Sequence, residues 1–304
     1  MNFLVTGGSG FIGRNLVKAL ANIKNSKIYV IDKKITKFEK KNVFFLKADI
    51  NKINSLNKIS PKIDYIYHLA ADLGVKKIIK QPIKSLINNT RIIENIIFFS
   101  KIKKIKRLFF FSTSEVYSLL NKDGVMQETD DLVIQNLHHP RTSYFLSKVY
   151  GEFITNLSDV PYTIFRIFNV YGCNLATQHV IPSIFHKLKT KKQPKFENPN
   201  HSRCFLYIND AIFIFLQGLK PSFKNQIVNV ANPTEEIKVK HLVFKIKKLL
   251  NNKKKIKFKN EENLSITKRM PSIKKLKQLI KTKIKFTTLD EGLLILKKFY
   301  ENKN

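Results

Sequence analysis

Residues 6–13, Thr-Gly-Gly-Ser-Gly-Phe-Ile-Gly, follow directly on the apolar run Phe3-Leu4-Val5. A strand, then glycines, then a periodic apolar segment (Phe11, Ile12, Leu16, Val17, Leu20) is the order that a dinucleotide site needs. Gly7 permits the tight turn, Gly10 lets the backbone approach a pyrophosphate, and Gly13 lets the helix pack close to the strand. The free N–H groups at the helix start then face the phosphates. The spacing is G-x-x-G-x-x-G rather than G-x-G-x-x-G, and any tight strand–helix turn could use three glycines. Other residues must therefore decide the reading. The turn lies within a few residues of the first methionine, so no signal peptide is expected before it.

A chain of 304 residues can bury a large core, as one big domain or two coupled ones. No apolar run reaches the ~18 residues that a membrane span needs. The short runs at 96–99 and 108–111 are flanked by basic residues and read as buried helix and strand. Cys173 and Cys204 are too few for a disulfide scaffold and fit a reducing cytoplasm. Neither has metal-ligand spacing with a histidine pair, so no metal site is expected. The formal net charge of +34 raises the question of nucleic acid or an anionic membrane. The lysines are spread along the whole chain, Asn and Ile are also abundant, and arginine, the better residue for bidentate contacts, is scarce. Biased composition on a solvated surface is the favoured reading, a functional basic face for an anionic membrane or nucleic acid is the alternative, and no nucleic-acid partner is expected.

The first half alternates short β-prone runs, at 3–5, 27–31, 43–46, 65–69 and 107–111, with segments of crossover length. Long helices are expected at 85–104 and 143–157, and a further strand at 162–168. This pattern predicts an α/β fold, a Rossmann-type doubly wound parallel sheet with helices on both faces. Past Gly172, Pro182, Pro194, Pro199, Pro221 and Pro233 punctuate shorter elements. Residues 1–172 are therefore expected to form the dinucleotide-binding domain. Residues 173–304 are expected to form mainly a smaller, mostly C-terminal substrate-binding lobe, with segments near 204–230 returning to the sheet. The Lys/Asn-rich stretch 251–265 is expected to be a mobile surface loop, and the last residues to fray.

Asp32 ends the second strand about 20 residues past the glycine turn, where a carboxylate can accept both ribose hydroxyls of an adenosine. It would repel a 2′-phosphate, which favours NAD over NADP, although Lys33 and Lys34 follow directly. Asp32 as a plain turn residue is the alternative, and the glycine turn argues against it. Asp49 and Ile50, after the third strand, are placed to hold an adenine edge.

Tyr144 and Lys148 are separated by one helical turn and share a face. A free tyrosine has a pKa near ~10 and is a poor base at neutral pH. A nearby lysine and an oxidised nicotinamide both favour the phenolate, so the tyrosine is expected to take a proton from a substrate hydroxyl while hydride leaves the same carbon. Such a pair arises by chance in lysine-rich helices. Here it is joined by Phe111-Ser112-Thr113-Ser114-Glu115-Val116-Tyr117, at the carboxyl end of an apolar strand, where ligands bind in such sheets. Thr113 can hydrogen-bond the substrate hydroxyl beside Tyr144. Glu115 adds a carboxylate, or caps the turn.

Taken together, these segments resemble the extended short-chain dehydrogenase/reductase superfamily, specifically its NAD-dependent nucleotide-sugar epimerase/dehydratase branch. The resemblance runs nearly end to end, through residues 6–13, Asp32, Asp49-Ile50, His68-Leu69-Ala70-Ala71, 112–117, 144–148, 166–172, 202–210 and 269–273. It implies NAD bound by Gly7, Gly10, Phe11, Ile12, Gly13 and Asp32, with Asp49, Ile50, Leu69, Ala70 and Ala71 around the adenine and ribose. Asn88 or Asn89 would line the cofactor cleft, and Phe168 would pack near the nicotinamide. Tyr144 and Lys148 would also touch the cofactor. Thr113, Tyr144, Lys148 and Glu115 would form the catalytic set. Asn169, Arg203 and Arg269, with Thr113, would hold the substrate, a nucleotide-diphosphate sugar, with a UDP-sugar favoured. An arginine suits a diphosphate because its fork donates two parallel hydrogen bonds.

Some positions depart from the pattern. Ser118 replaces the usual glycine after Tyr117. The loop before Tyr144 is long and carries His138-His139-Pro140-Arg141, read as loop residues. The segment Glu197-Asn198-Pro199-Asn200 replaces a glycine-rich turn. Oxidation at sugar C4 is the common first step in this branch. The ketone can then be reduced from the other face (epimerisation), lose water, or lose carbon dioxide when C6 is a carboxylate. Dehydratases typically follow the threonine with Asp-Glu. Here the pair is Ser114-Glu115, so one acid is missing. The Thr-Ser-Glu run and Arg269-x-Pro271-Ser272-Ile273 resemble the UDP-glucuronate decarboxylase-like members. The broad expectation is a cytoplasmic NAD-dependent epimerase, with decarboxylation and dehydration as close alternatives. A homodimer built on helices 85–104 and 143–157 is expected. A different class stays open, since some relatives have become NAD-binding structural or RNA-associated proteins. Those tend to lose the catalytic set, and this chain keeps it.

Overall fold

The computed structural model describes residues 1–36, 38–117, 125–134, 136–260 and 267–302. Ser118, residues 261–265 of the expected surface loop, and the last two residues lie outside these segments.

Seven strands form one sheet with every pairing parallel. In chain order the first six strands of the molecule are β1 (Asn2–Thr6), β2 (Lys27–Asp32), β3 (Val43–Lys47), β4 (Tyr65–His68), β5 (Arg107–Thr113) and β6 (Tyr162–Ile167). Three short strands then leave this sheet: β7 (Asn169–Tyr171), β8 (Lys195–Glu197) and β9 (Ser202–Tyr207). The chain returns with β10 (Gln226–Val230) and continues through β11 (Glu236–Lys238), β12 (Lys257–Lys259) and β13 (Lys268–Arg269). The large sheet runs β10-β6-β5-β4-β1-β2-β3. Central β1 and β5 read as continuous apolar runs because both of their faces are covered.

Helices α1 (Phe11–Leu20), α2 (Asn54–Asn57), α3 (Val75–Lys80), α4 (Pro82–Lys103) and α5 (Thr142–Asn156) fill the crossovers. Further along lie α6 (Val180–Thr190), α7 (Ile208–Gln217), α8 (Val239–Leu249), α9 (Lys274–Ile280) and α10 (Leu289–Glu301). Proline at its first position opens α4, where the missing N–H costs nothing, and Lys104 in the left-handed region ends it. One core cluster gathers Leu16, Val17, Phe109, Phe165 and Phe215 on the α1 and α7 side. The other gathers Leu4, Ile66, Ile92, Ile96, Phe110 and Ile164 on the α4 and α5 side.

The strand order reverses between β1 and β4, so a crevice opens at the carboxyl ends of those two strands. A second sheet, β11-β9-β13 with β7 also paired to β9, stands beyond the carboxyl end of the large one. It follows β6 almost at once, since only Phe168 separates β6 from β7. No helix among the described residues is long and apolar enough to cross a membrane.

Candidate active site

The glycine turn lies in the β1/β4 crevice. Gly7 has φ +70°, a left-handed conformation, and a Cβ there would meet the Ala70 backbone nitrogen at 2.7 Å. A Cβ on Gly13 would lie 2.2 Å from the Gly7 carbonyl oxygen, so a glycine is what lets α1 approach the turn. Gly10 differs. Its Cβ would meet only that same oxygen, at 3.3 Å, and face open space otherwise. No side chain caps the start of α1 and its first turn carries no acid, so these N–H groups and the positive helix end remain available to an anion.

Asp32 ends β2 beside this turn. Its carboxylate accepts from the Ser9 N–H at 3.1 Å and the Lys34 N–H at 3.2 Å. Asp49 lies one strand over, held by Asn51 at 3.0 Å and paired with Lys33 at 3.2 Å. Its hydrogen bonds to Asn51 and the Lys33 charge outweigh its partial burial and pull its pKa down. Leu69, Ala70 and Ala71 follow β4, tied to β1 by bonds from the Leu69 and Ala70 N–H groups to Thr6. Uncapped helix end, open Gly10 and ribose-side carboxylate fit a dinucleotide with an unphosphorylated ribose.

Ile50, Asn88 and Asn89 are each held by neighbours of their own. The Ile50 side chain is buried in the α4-side core, and Asn95 occupies its carbonyl at 2.8 Å. Asn88 and Asn89 are both bound to Asp72. Asn88 donates to its carboxylate at 2.8 Å, and the Asn89 side-chain oxygen accepts from its N–H at 2.6 Å. They fix the loop after β4, and Lys77 completes the group with a 2.7 Å ion pair to Asp72.

Tyr144 and Thr113 are hydrogen-bonded, the tyrosine being the third residue of α5 and the threonine the last of β5. Loss of water around Tyr144, reinforced by the Glu115 charge, pushes its pKa up, with the Thr113 bond working weakly against it. Lys148 does not reverse this. Its ammonium donates to the Phe111 carbonyl at 2.7 Å and sits 6.0 Å from the Tyr144 ring centre and 5.0 Å from the Phe110 ring centre. Burial pulls Lys148 down to about 8, opposed by Glu152 one turn further along α5. Without ligands, then, burial favours the protonated form of the phenol.

Arginines gather on the other side of Thr113. Arg203 on β9 and Arg269 on β13 are paired in register. Arg269 Nη1 donates to Ser114 Oγ at 3.2 Å, while its buried Nε has no hydrogen-bond partner. Arg203 donates to the carbonyls of Ser202 and Thr267. Burial and the adjacent Arg269 charge bring Arg203 down to about 10. Burial also lowers Arg269, and Glu115 partly offsets the repulsion from Arg141. A buried charged donor left without an acceptor is costly, and a bound anion would relieve it. Asn169 on β7 donates to the Cys204 carbonyl at 3.2 Å, within the same small sheet. Phe168 is buried with its ring 6.2 Å from Tyr117, and its N–H donates to Val230.

A family model described as "NAD dependent epimerase/dehydratase family" matches residues 3–231. The chain belongs to that family. Its members are NAD-dependent enzymes that rework nucleotide sugars. A UDP-N-acetyl-alpha-D-glucosaminuronate decarboxylase of Bacillus cytotoxicus is 27% identical over 295 residues, covering 91% of this chain and 90% of that protein. A dTDP-D-glucose 4,6-dehydratase of Dictyostelium discoideum is 30% identical over 272 residues, covering 82% of this chain and 61% of that protein. An epimerase from the methanogen Methanothermobacter thermautotrophicus superposes with a TM-score of 0.88 at 24% identity, covering 99% of this chain and 92% of that one. That last likeness speaks to the fold alone.

Within this epimerase/dehydratase fold one residue of the site was missed in the sequence. Arg141, read there as a loop residue, pairs with Glu115 at 3.0 Å. Its one signal was position, three residues ahead of Tyr144 where the loop enters α5. His138 and His139 bond within the loop itself. His138 bonds Asn136 through its N–H, and the His139 ring accepts from the Arg141 N–H.

Proposed function

We propose that this chain oxidises C4 of a UDP-linked sugar acid and releases carbon dioxide from the resulting 4-keto sugar. The observation that carries this reading is the pairing of Ser114 with Arg269 and of Glu115 with Arg141, directly beside Thr113 and Tyr144. A dehydratase needs an acid for the C6 hydroxyl, and Ser114 supplies none. Three guanidinium groups against one carboxylate suit a substrate richer in negative charge than a neutral sugar diphosphate. The Bacillus relative is named for decarboxylation of a UDP-sugar acid.

The cofactor would be held by Gly7, Gly10, Phe11, Ile12, Gly13, Asp32, Asp49, Leu69, Ala70 and Ala71. NAD, when bound, supplies a hydride acceptor and a positive ring charge that favours a phenolate. Arg203, Arg269 and Asn169 hold the diphosphate. Tyr144 Oη takes the proton of the C4 hydroxyl, with Thr113 sharing the hydrogen bond and the Lys148 charge opposing the burial that keeps the phenol protonated. Once C4 is a ketone, the C6 carboxylate is β to it. The C5–C6 bond breaks, carbon dioxide leaves, and the electron pair moves onto O4, where Tyr144 and Thr113 donate. C5 then takes a proton, the hydride is returned to C4, and Tyr144 gives its proton back to O4, which closes the redox balance.

Inversion at C4 is the second reading, favoured by the same Thr113–Tyr144 pair, which serves either outcome. Incubation with UDP-glucuronate, following carbon dioxide release and C4 stereochemistry together, separates the two. Release of carbon dioxide supports decarboxylation, and none from any UDP-sugar acid overturns it. The setting we propose is the cytoplasm. The oligomer we propose is a homodimer closed by α4 and α5, whose Ile83, Ile87, Phe98 and Phe153 are exposed, as is Leu157 just past α5.

A further inference from the structure

A fully buried asparagine lies behind the site, and none of the chemistry above uses it. Asn229 on β10 is 0% exposed and makes four hydrogen bonds. Its side-chain oxygen accepts from Tyr117 Oη at 2.8 Å. Its amide donates to the carbonyls of Met126 and Ser272, both at 3.1 Å. Its backbone N–H donates to Glu128 Oε1 at 2.8 Å.

These partners come from three places. Met126 and Glu128 belong to the segment after η-turn residues 114–117, and Ser272 follows closely on Arg269. Met126 and Pro271 form a bridge, with Met126 N–H donating to Met270 and Ser272 N–H to Met126, each at 2.8 Å. The Asn229 amide holds both sides of that bridge, through the Met126 carbonyl on one and the Ser272 carbonyl, next after Pro271, on the other. On its other side Tyr117 Oη accepts from Arg166 Nη1 at 2.9 Å, and Arg166 is the register partner of Asn229 on β6. Arg166 in turn makes a buried ion pair with Glu152 at 2.8 Å, one turn beyond Lys148 on α5. A continuous buried chain of hydrogen bonds thus joins the catalytic helix to the short strand that presents Arg269. β13 is only two residues long, so pairing with β9 alone gives it little anchorage.

We propose that Asn229 is a positioning residue for substrate binding, which fixes Arg269 over Ser114 by clamping the Met126–Pro271 bridge to the large sheet. This rests on the reading of Arg269 as a ligand of the nucleotide diphosphate. Removal of the clamp lets β13 drift while the NAD crevice, on the far side of the sheet at β1, β2 and β4, is left intact.

The test is calorimetric binding of two probes, UDP and NAD, to the full chain and to two variants. Asn229→Ala removes the side-chain bonds. Asn229→Asp keeps the shape and the acceptor for Tyr117 but turns the donor into an oxygen facing two carbonyls. The expected result in both is UDP binding weakened about tenfold or more, with NAD binding kept within about twofold. UDP affinity equal to that of the unaltered chain overturns the proposal. Loss of NAD and UDP together in both variants also overturns it, because Asn229 then serves the fold as a whole. If the unaltered chain binds NAD but not UDP, the reading of Arg269 fails first and the clamp's function falls with it.

Discussion

Arg203 and Arg269 stand side by side as register partners on β9 and β13, two buried guanidinium groups on adjacent strands with the Glu115 carboxylate in their field. Each charge disfavours the other, and the Arg269 Nε is left without an acceptor. The buried Arg269 charge, with its Nε short of an acceptor, costs folding free energy that a bound anion would recover. Arg269→Met is therefore expected to raise the Tm of the ligand-free protein, or leave it unchanged, while weakening UDP binding at least about tenfold. Thermal unfolding with and without UDP checks both halves. A lower Tm without ligand would mean that Arg269 is a structural residue.

The glycine turn gives a sharper contrast. Gly13→Ala forces a methyl to 2.2 Å from the Gly7 oxygen, a backbone atom that cannot yield without moving the turn. We expect a stability loss of about 1–3 kcal/mol together with weaker NAD binding. Gly10→Ala meets that oxygen only at 3.3 Å. It should leave urea unfolding within about 0.5–1 kcal/mol of the parent, yet block the approach of a pyrophosphate. A Gly10→Ala variant that binds NAD normally would place the phosphates elsewhere.

Lys148 carries a pH signature. Burial lowers its pKa from 10.5 to about 8 in the folded chain. The unfolded state therefore binds more protons between those values, and stability rises with pH across that window. Below about pH 8 the full cost of the buried ammonium is present, on the order of 3 kcal/mol. Lys148→Met should remove this dependence, so the difference in unfolding free energy between variant and parent narrows from pH 8 to 10.5. Urea titrations at stepped pH values would show it, and parallel curves would refute it.

Much of the large sheet was legible because its strands are long enough, and buried enough on both faces, to read as apolar runs. β5, buried nearly throughout, was plain, and so was the break at Gly7. The second sheet was not. β7, β11 and β13 are two or three residues long, too short for a periodicity, and they exist through pairing with β9 across long stretches of chain. Arg203 and Arg269 were visible as motif residues, but their adjacency is a property of register. Arg141 was hidden for a related reason. It reaches Glu115 across 26 residues, from a loop whose histidines drew the eye. Spacing places Lys148 on the same helix face as Tyr144 but does not say where its ammonium points. It points to the Phe111 carbonyl.

Tyr144→Phe keeps the ring and its packing and removes the proton acceptor. General acid–base groups contribute about 10²–10⁴ in rate. We expect a loss in that range in turnover, with UDP and NAD affinities close to those of the parent. A uniform loss of binding would mean that the hydroxyl serves structure through Thr113.

The most direct measurement is the nicotinamide absorbance of the NAD-loaded enzyme after rapid mixing with UDP-glucuronate. Oxidation at C4 assisted by Tyr144 predicts a transient rise in reduced nicotinamide that decays as carbon dioxide appears, and no rise in Tyr144→Phe. A rise of equal size and rate in both proteins would contradict the assignment of Tyr144. The absence of any rise, from this or any other UDP-sugar, would contradict the proposed chemistry altogether.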